Sequence, residues 1–349
     1  MPTSSPPCTA SDATASPPGA TRRLVLRAAA VAGLATPFLG RGAAAATTWT
    51  LFSQQTNLAS ATTRGLRRFS DLVRDRTDGA LLINIRTAGM LPIDANQVME
   101  AVASAKVELG DDANPALTAP VAAVMRLPLL ATTPAEWDRV AKVVRPALAD
   151  ALKNRSIVLL GHYRSAMQLF WSREKAGGFL DIARQKLRIQ ALEQADFVRH
   201  YGGVHVITST VEAGEALAAG KLDGTFGSAF MTGRMWRAWL RHVYLAGPNY
   251  NDAVIVAGQA AMDRLPEALA AVLFAAAEDT AAWIARTQDA EEAQILAQLR
   301  SEGVQVTPAN RAEVLDGTTR LPAAWDNWVR LRGSDMENLL AAVRQVLDR

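Results

Sequence analysis

Apolar and polar positions along the chain switch between two periods. Trp49-Thr50-Leu51-Phe52 is a short β-rich run, closed by the polar stretch Ser53-Gln54-Gln55-Thr56-Asn57. From about Thr62 to Arg76 the pattern is helical and ends at Asp78-Gly79, where glycine suits a left-handed cap. Leu81 to Ile85 predicts a second strand. Asp94, with Gln97 three residues on, predicts a capping box opening another helix, and Val107 to Leu109 predicts the next strand. Strands alternating with helices predict an α/β protein with largely parallel sheets.

Two longer patterns organise these elements. Glu100-Ala101-Val102-Ala103-Ser104-Ala105-Lys106-Val107-Glu108 is echoed 115 positions later by Glu215-Ala216-Leu217-Ala218-Ala219-Gly220-Lys221-Leu222-Asp223. Each is the end of a helix turning into a strand, and the second helix has its own capping box, Ser209 with Glu212. The echo predicts two lobes of related topology. Pro266 to Glu302 has no internal Pro or Gly and stops at Gly303. As one helix it is about 55 Å long, enough to run across both lobes. The alternative is two helices with a break near Thr287-Gln288.

Length and charge narrow the class. The 349 residues are 49% apolar and 20% charged, enough for two cores and unlike a disordered chain. A net charge of +3 invites a nucleic-acid reading, but residues 1–46 hold Arg22, Arg23, Arg27 and Arg41 against Asp12 alone. The remainder has 33 basic and 33 acidic residues, so no nucleic acid is expected as a partner. After a Pro/Ser/Thr/Ala start, the basic stretch Thr21 to Arg27 precedes an apolar run, Ala28 to Leu39, and the small residues Ala43 to Ala46. That is the order of a signal peptide, and the paired arginines resemble a twin-arginine export signal. The run falls short of the roughly 20 residues of a bilayer span, so the expected product is not membrane-embedded and begins near Thr47 in the periplasm. Cys8 is the only cysteine, which leaves no thiol for a disulfide, a zinc site or a nucleophile after cleavage.

Catalytic signatures are lacking. No His-Glu-x-x-His, Gly-x-Ser-x-Gly or Gly-x-Gly-x-x-Gly occurs. Gly214 to Lys221 has the wrong spacing for a phosphate loop, and Leu222 stands where a magnesium-binding hydroxyl belongs. His162, His200, His205 and His242 lack ligand spacing. Adjacent Asp111 and Asp112 would point to opposite faces of a strand. They are read instead as the start of a loop leading to Asn114-Pro115, an N-cap with Pro behind it. Neither a metal nor a cofactor is expected.

Residues 156–230 carry a resemblance. Ser156 to Gly161, Gln168-Leu169-Phe170-Trp171-Ser172 and Lys186-Leu187-Arg188-Ile189-Gln190 read as strands, followed by the Glu212 to Leu217 helix and Leu222-Asp223-Gly224. With Gly89-Met90-Leu91, Arg126-Leu127-Pro128-Leu129 and Arg264-Leu265-Pro266, this order resembles the solute receptors of tripartite ATP-independent periplasmic (TRAP) transporters. The resemblance implies a two-lobed periplasmic-binding-protein-like fold with hinge strands. Such a protein closes over a small organic acid and delivers it to membrane permease subunits. It implies residues 47–165 as lobe 1, 166–252 as lobe 2, 253–290 returning to lobe 1, and 291–349 packing on lobe 2. The family's carboxylate-binding arginine falls on Arg188, whose planar fork matches a carboxylate.

The chain departs from that pattern at two positions. Gln168 stands where many members have a second arginine, with Arg164 nearby, and Gly227 stands where many have Asn. Both changes are read as opening space, with Phe226 and Trp171 offering apolar area, and so predict a ligand less polar than a simple diacid. Phe170, Phe230 and Trp236 lie close in sequence to the same stretch. Asn114 and Gln55 complete the expected ligand contacts. A ligand sensor, or an enzyme on the same scaffold, is the rival reading.

Overall fold

A computed structural model describes residues 46–349, so the expected export segment lies outside the described residues apart from Ala46. Two mixed sheets form the framework. The first has the order β2 (Leu81–Thr87), β1 (Thr47–Ser53), β3 (Leu109–Asp112), β10 (Tyr250–Gly258), β4 (Ile157–Met167). The second has the order β11 (Gln305–Thr307), β9 (His242–Tyr244), β5 (Leu169–Ser172), β8 (Gly224–Gly227), β6 (Lys186–Ile189), β7 (Val204–Ile207).

Only Gln168 separates β4 from β5, so the chain steps there from one sheet to the other. It steps back between β9 and β10. The two crossings are stitched by Gln168 N donating to Asn249 O (2.9 Å) and Phe170 N to Ala246 O (3.0 Å). A Cβ at Gly247 would collide with the Gln168 carbonyl, which is why the second crossing carries glycine there.

Register sets the direction of every strand. β1, β2 and β3 pair in parallel, and β10 runs antiparallel to both β3 and β4, so β1 to β3 point as β4 does, toward Gln168. β5 leads away from Gln168; β8 is antiparallel to it, and β6 and β7 are parallel to β8. The carboxyl ends of six strands therefore face each other across a crevice floored by the crossings, the position where open α/β sheets bind ligands.

The 115-residue echo has a structural counterpart. α2 (Val98–Ala103) leads into β3, and α5 (Thr210–Ala218) leads into β8. Ala105 and Gly220 occupy the same place after each helix, and both are left-handed (φ 56° and 67°). The turn hydrogen bonds match as well: Lys106 N to Ala101 O at 2.9 Å, and Lys221 N to Ala216 O at 2.8 Å. Ser209 and Glu212 form the expected capping box. Asp94 and Gln97 do not. Asp94 Oδ1 accepts from Asn96 N in a turn, and α2 starts only at Val98. Asp111 and Asp112 belong to β3 rather than to a loop, because β3 pairs along its length with β10.

The remaining helices pack these sheets. α1 (Ala61–Arg76), capped by Ser60, lies on the first sheet. α3 (Pro134–Lys153) places Leu148 and Leu152 against the first sheet. Its Trp137, Val140 and Val144 belong to a larger core with Phe170, Leu187, Ile189 and Phe226 of the second sheet. α4 (Glu193–His200) and the C-terminal α9 (Arg311–Arg320), α10 (Pro322–Arg330) and α11 (Ser334–Leu347) complete that core. Trp325 Nε1 donates to Pro128 O, and Tyr244 Oη donates to Glu313. Short α6 (Arg234–Trp236) and α7 (Gln259–Met262) follow β8 and β10. α8 is one unbroken helix, Glu267–Ser301, with Pro266 at its N-cap. Its Leu273, Ala277 and Ile284 pack in the first lobe's core and its Ile295 and Leu299 in the second's, so it braces both.

Candidate ligand-binding site

Side-chain alternation on β6 sends Leu187 and Ile189 into the core and Arg188 to the opposite face. There Arg188 Nε donates to Thr208 O (3.2 Å) and Nη2 to Thr210 Oγ1 (3.4 Å), with the Trp236 ring centroid 5.8 Å from Cζ. Thr208 and Thr210 flank Ser209, so the α5 capping box fixes the loop that aims the guanidinium. Three arginines are buried among the described residues. Arg126 pairs with Asp252 (3.0 Å) and Arg164 with Asp289 (2.5 Å), whereas no carboxylate oxygen lies within 4.0 Å of Arg188. Burial without a counter-charge lowers the Arg188 pKa. Both Nη1 hydrogens and one on Nη2 remain open, the edge that grips a carboxylate bidentately.

The wall opposite is held by a buried polar network. Asp111 accepts from Tyr163 Oη (2.5 Å) and Ser53 Oγ (2.7 Å). Burial pushes its carboxyl up to about 6, against the pull of those two donors. Arg126 joins three elements: Nε donates to Asp252, Nη1 to Asn114 Oδ1 (2.6 Å) and Nη2 to Ala113 O (3.0 Å). Burial alone would raise Asp252, but Arg126 and the His162 Nε2 contact (3.1 Å) hold it below the usual carboxylate range. The loop after β3 is thereby tied to the crossing strand β10.

The middle of α8 ties the two sides together. Asp289 holds Arg164 of β4, Glu291 holds Arg64 of α1 (2.6 Å), and Glu292 accepts from Ala229 N (2.6 Å) and Phe230 N (2.8 Å). The last two open the π-helical turn Ala229–Gly233 just past β8. Burial pushes Glu292 up to about 7 despite these backbone donors.

Several expected contacts lie elsewhere. Phe226 is core: it alternates with Thr225 on β8 and packs on Phe170 and Phe197, so it cannot face a ligand. Trp171 is likewise fully buried, its Nε1 donating to Gly227 O. Gly227 opens no space, because the Thr232 side chain fills the volume its Cβ would occupy. Arg164 is committed to Asp289 and lies over the Tyr250 ring. Gln168 is engaged at the crossing, donating to Ala166 O and accepting from Gln190 Nε2. Asn114 sits at the crevice end of β3 with Oδ1 occupied by Arg126 and caps no helix. Gln55, just past β1, is half-buried, and its side chain makes no hydrogen bond among the described residues.

Thr208, Thr210 and Glu292 were not anticipated. The Thr-Ser-Thr run at a capping box was a visible signal for the first two; nothing local marked the third. Two hollows among the described residues have Arg188 in neither lining. One of about 410 Å³, lined by Ser172, Lys175, Asp181 and Arg184, sits where β6 begins, at the far end of the second sheet. The other, about 300 Å³, lies along α8 between Ala59 and Arg234. Arg188 is the stronger site because its buried charge lacks an anion.

Comparison with known proteins bears on the fold and the family. No sequence among curated proteins matches the chain. A Bordetella pertussis extracytoplasmic solute receptor binding pyroglutamic acid is 22% identical, with a TM-score of 0.74 over 86% of this chain and all of that one (100%). A TRAP periplasmic solute-binding protein from Ochrobactrum anthropi has a TM-score of 0.79 at 19% identity, covering 87% of this chain and 96% of its own. One from Desulfovibrio salexigens, with bound orotic acid, has a TM-score of 0.75 at 17% identity, covering 86% and 98%. At these identities the likeness is one of fold. The family described as bacterial extracellular solute-binding protein, family 7, matches residues 52–327, from the end of β1 to α10 and so through both sheets and the crevice between them. The chain belongs to that family.

Proposed function

We propose that this solute-binding protein takes up a small organic carboxylate on Arg188, closes its two lobes over it, and delivers it to the membrane permease of a TRAP transporter. The observation that carries the reading is the buried guanidinium with an open edge and no carboxylate partner. An anion from solution supplies the missing charge, and a charge-assisted bidentate pair in a dry crevice is strong. Similar folds that bind pyroglutamic acid and orotic acid support the ligand class. The leader at residues 1–46 supports export to the periplasm, and N-terminal sequencing of secreted protein should begin near Thr47.

The architecture supports closure: the two crossings, α3 and α8 join the lobes, and a ligand touching both favours the closed state by its differential affinity. Calorimetry on wild type and Arg188→Ala with a panel of organic acids tests the site. The variant should lose about 2–5 kcal/mol of binding and melt at or above the wild-type temperature. Wild-type affinity in the variant would remove Arg188 from the ligand site.

A further inference from the structure

Thirteen large apolar side chains are exposed among the described residues, and six of them stand at or just past the carboxyl ends of β1, β2, β3, β7 and β8. On the first lobe Leu58, Met90 and Leu117 follow β1, β2 and β3, with exposures of 53%, 55% and 67%. On the second, Ile207, Val211 and Met231 stand at the ends of β7 and β8, at 59%, 73% and 50%. Single exposed apolar residues need no explanation, but two facing lips of them do.

The polar side chains that share these ends are largely engaged inside the protein. Asn57 accepts from Ala59 N, Asn114 from Arg126, and Ser228 from Met231 N. Thr208 donates to Glu212, whose own N–H is capped by Ser209, and Gln190 donates to Gln168 and to Phe226 O. Arg86, Arg234 and Gln55 keep free ends, yet all three are half-buried or exposed, where water already serves them. Among the buried arginines of the described residues, Arg188 alone has no carboxylate partner.

We propose that the protein selects a monocarboxylate with an apolar body, an aromatic or branched-chain acid, whose carboxylate sits on Arg188 while the two apolar lips cover the rest. The inference rests on the Arg188 reading above and replaces Phe226 and Trp171 with exposed residues at the carboxyl ends of the strands. Closure removes the lips and the ligand body from water together, which favours the closed state. A second carboxylate, or a ring of hydroxyls, would enter the same space against apolar groups and lose its hydration without regaining partners.

Calorimetry on the signal-free chain with phenylacetate, 4-methyl-2-oxopentanoate, succinate and glucuronate decides the matter. The first two should bind at least about tenfold tighter than the last two. The double variant Val211→Asn, Met231→Gln should weaken phenylacetate by about tenfold or more at an unchanged melting temperature, since both side chains are already exposed. Succinate or glucuronate binding tightest, with Arg188→Ala abolishing it, would overturn the apolar selection and leave the arginine site standing; loss of that binding in Arg86→Ala would identify the second cation. Phenylacetate binding that Arg188→Ala leaves intact would instead sink the arginine reading. Phenylacetate binding unchanged in the double variant would assign the lips to some other surface and overturn the proposal.

Discussion

A guanidinium on a four-residue strand, aimed by two threonine oxygens and backed by Trp236, has no protein partner on its outer edge. The strand and the arginine were legible in the sequence, because Lys186-Leu187-Arg188-Ile189 alternates around a cation. The lack of a carboxylate partner was not, since every candidate partner is remote in the chain. Arg164 shows the converse. It looked available until α8 brought Asp289 to it, 125 positions away. Two carboxyls make the apo protein pH-dependent with a definite sign. Glu292 is raised from 4.5 to about 7 and Asp111 from 3.8 to about 6, so the folded state binds protons more tightly than the unfolded one. Each contribution is full below its unfolded value and is lost as pH rises through its folded value. Melting temperature should therefore carry a component that falls between about pH 4.5 and 7, and Glu292→Gln should flatten it. An unchanged slope in that variant would place the titration elsewhere.

Among the elements, the hinge crossings and the α5 cap are the most sensitive. Gly247 passes so close to the Gln168 carbonyl that Gly247→Ala must push the two crossings apart. A loss of roughly 2 kcal/mol or more is expected in urea unfolding, as for other overpacked sites. Ser209→Ala removes an N-cap and should cost about 1 kcal/mol. Because that cap holds Thr208 and Thr210 against Arg188, carboxylate affinity should fall with it. Stability lowered with affinity intact would separate the cap from the site. The capping box at Ser209 was readable from spacing alone, whereas the similar pair Asp94 and Gln97 formed no box. Spacing permits a cap, but where the helix begins decides whether it forms.

For the whole molecule, α8 joins the two cores. Its middle carries Asp289, Glu291 and Glu292 to β4, to α1 and to the turn after β8, and Gln288 Nε2 reaches Thr62 Oγ1 (3.2 Å). Gln288→Pro would remove a helical hydrogen bond and bend the brace there, at a cost of about 3 kcal/mol. Calorimetry should then resolve two unfolding transitions where wild type should show one. A single transition at lower temperature would mean that the crossings and α3 keep the lobes coupled without an intact α8. Ligand should contract the wild-type protein in small-angle scattering; an unchanged radius at saturation would argue against closure.

What the sequence determined by itself was the local grammar and its repetition. The strand and helix periods and the matched turns after α2 and α5 depend on residues within a few positions of one another, whereas the sequence left α8 open to a break near Thr287-Gln288. Membership in a two-lobed receptor family followed from the order of such pieces. The tertiary structure decided which side chains face the crevice. Phe226 and Trp171 turned into cores, Gly227 was filled by Thr232, and Leu58, Met90, Val211 and Met231 were left exposed. The reason is physical: burial and charge pairing are set by partners brought together from distant parts of the chain, whereas periodicity is set by neighbours along it.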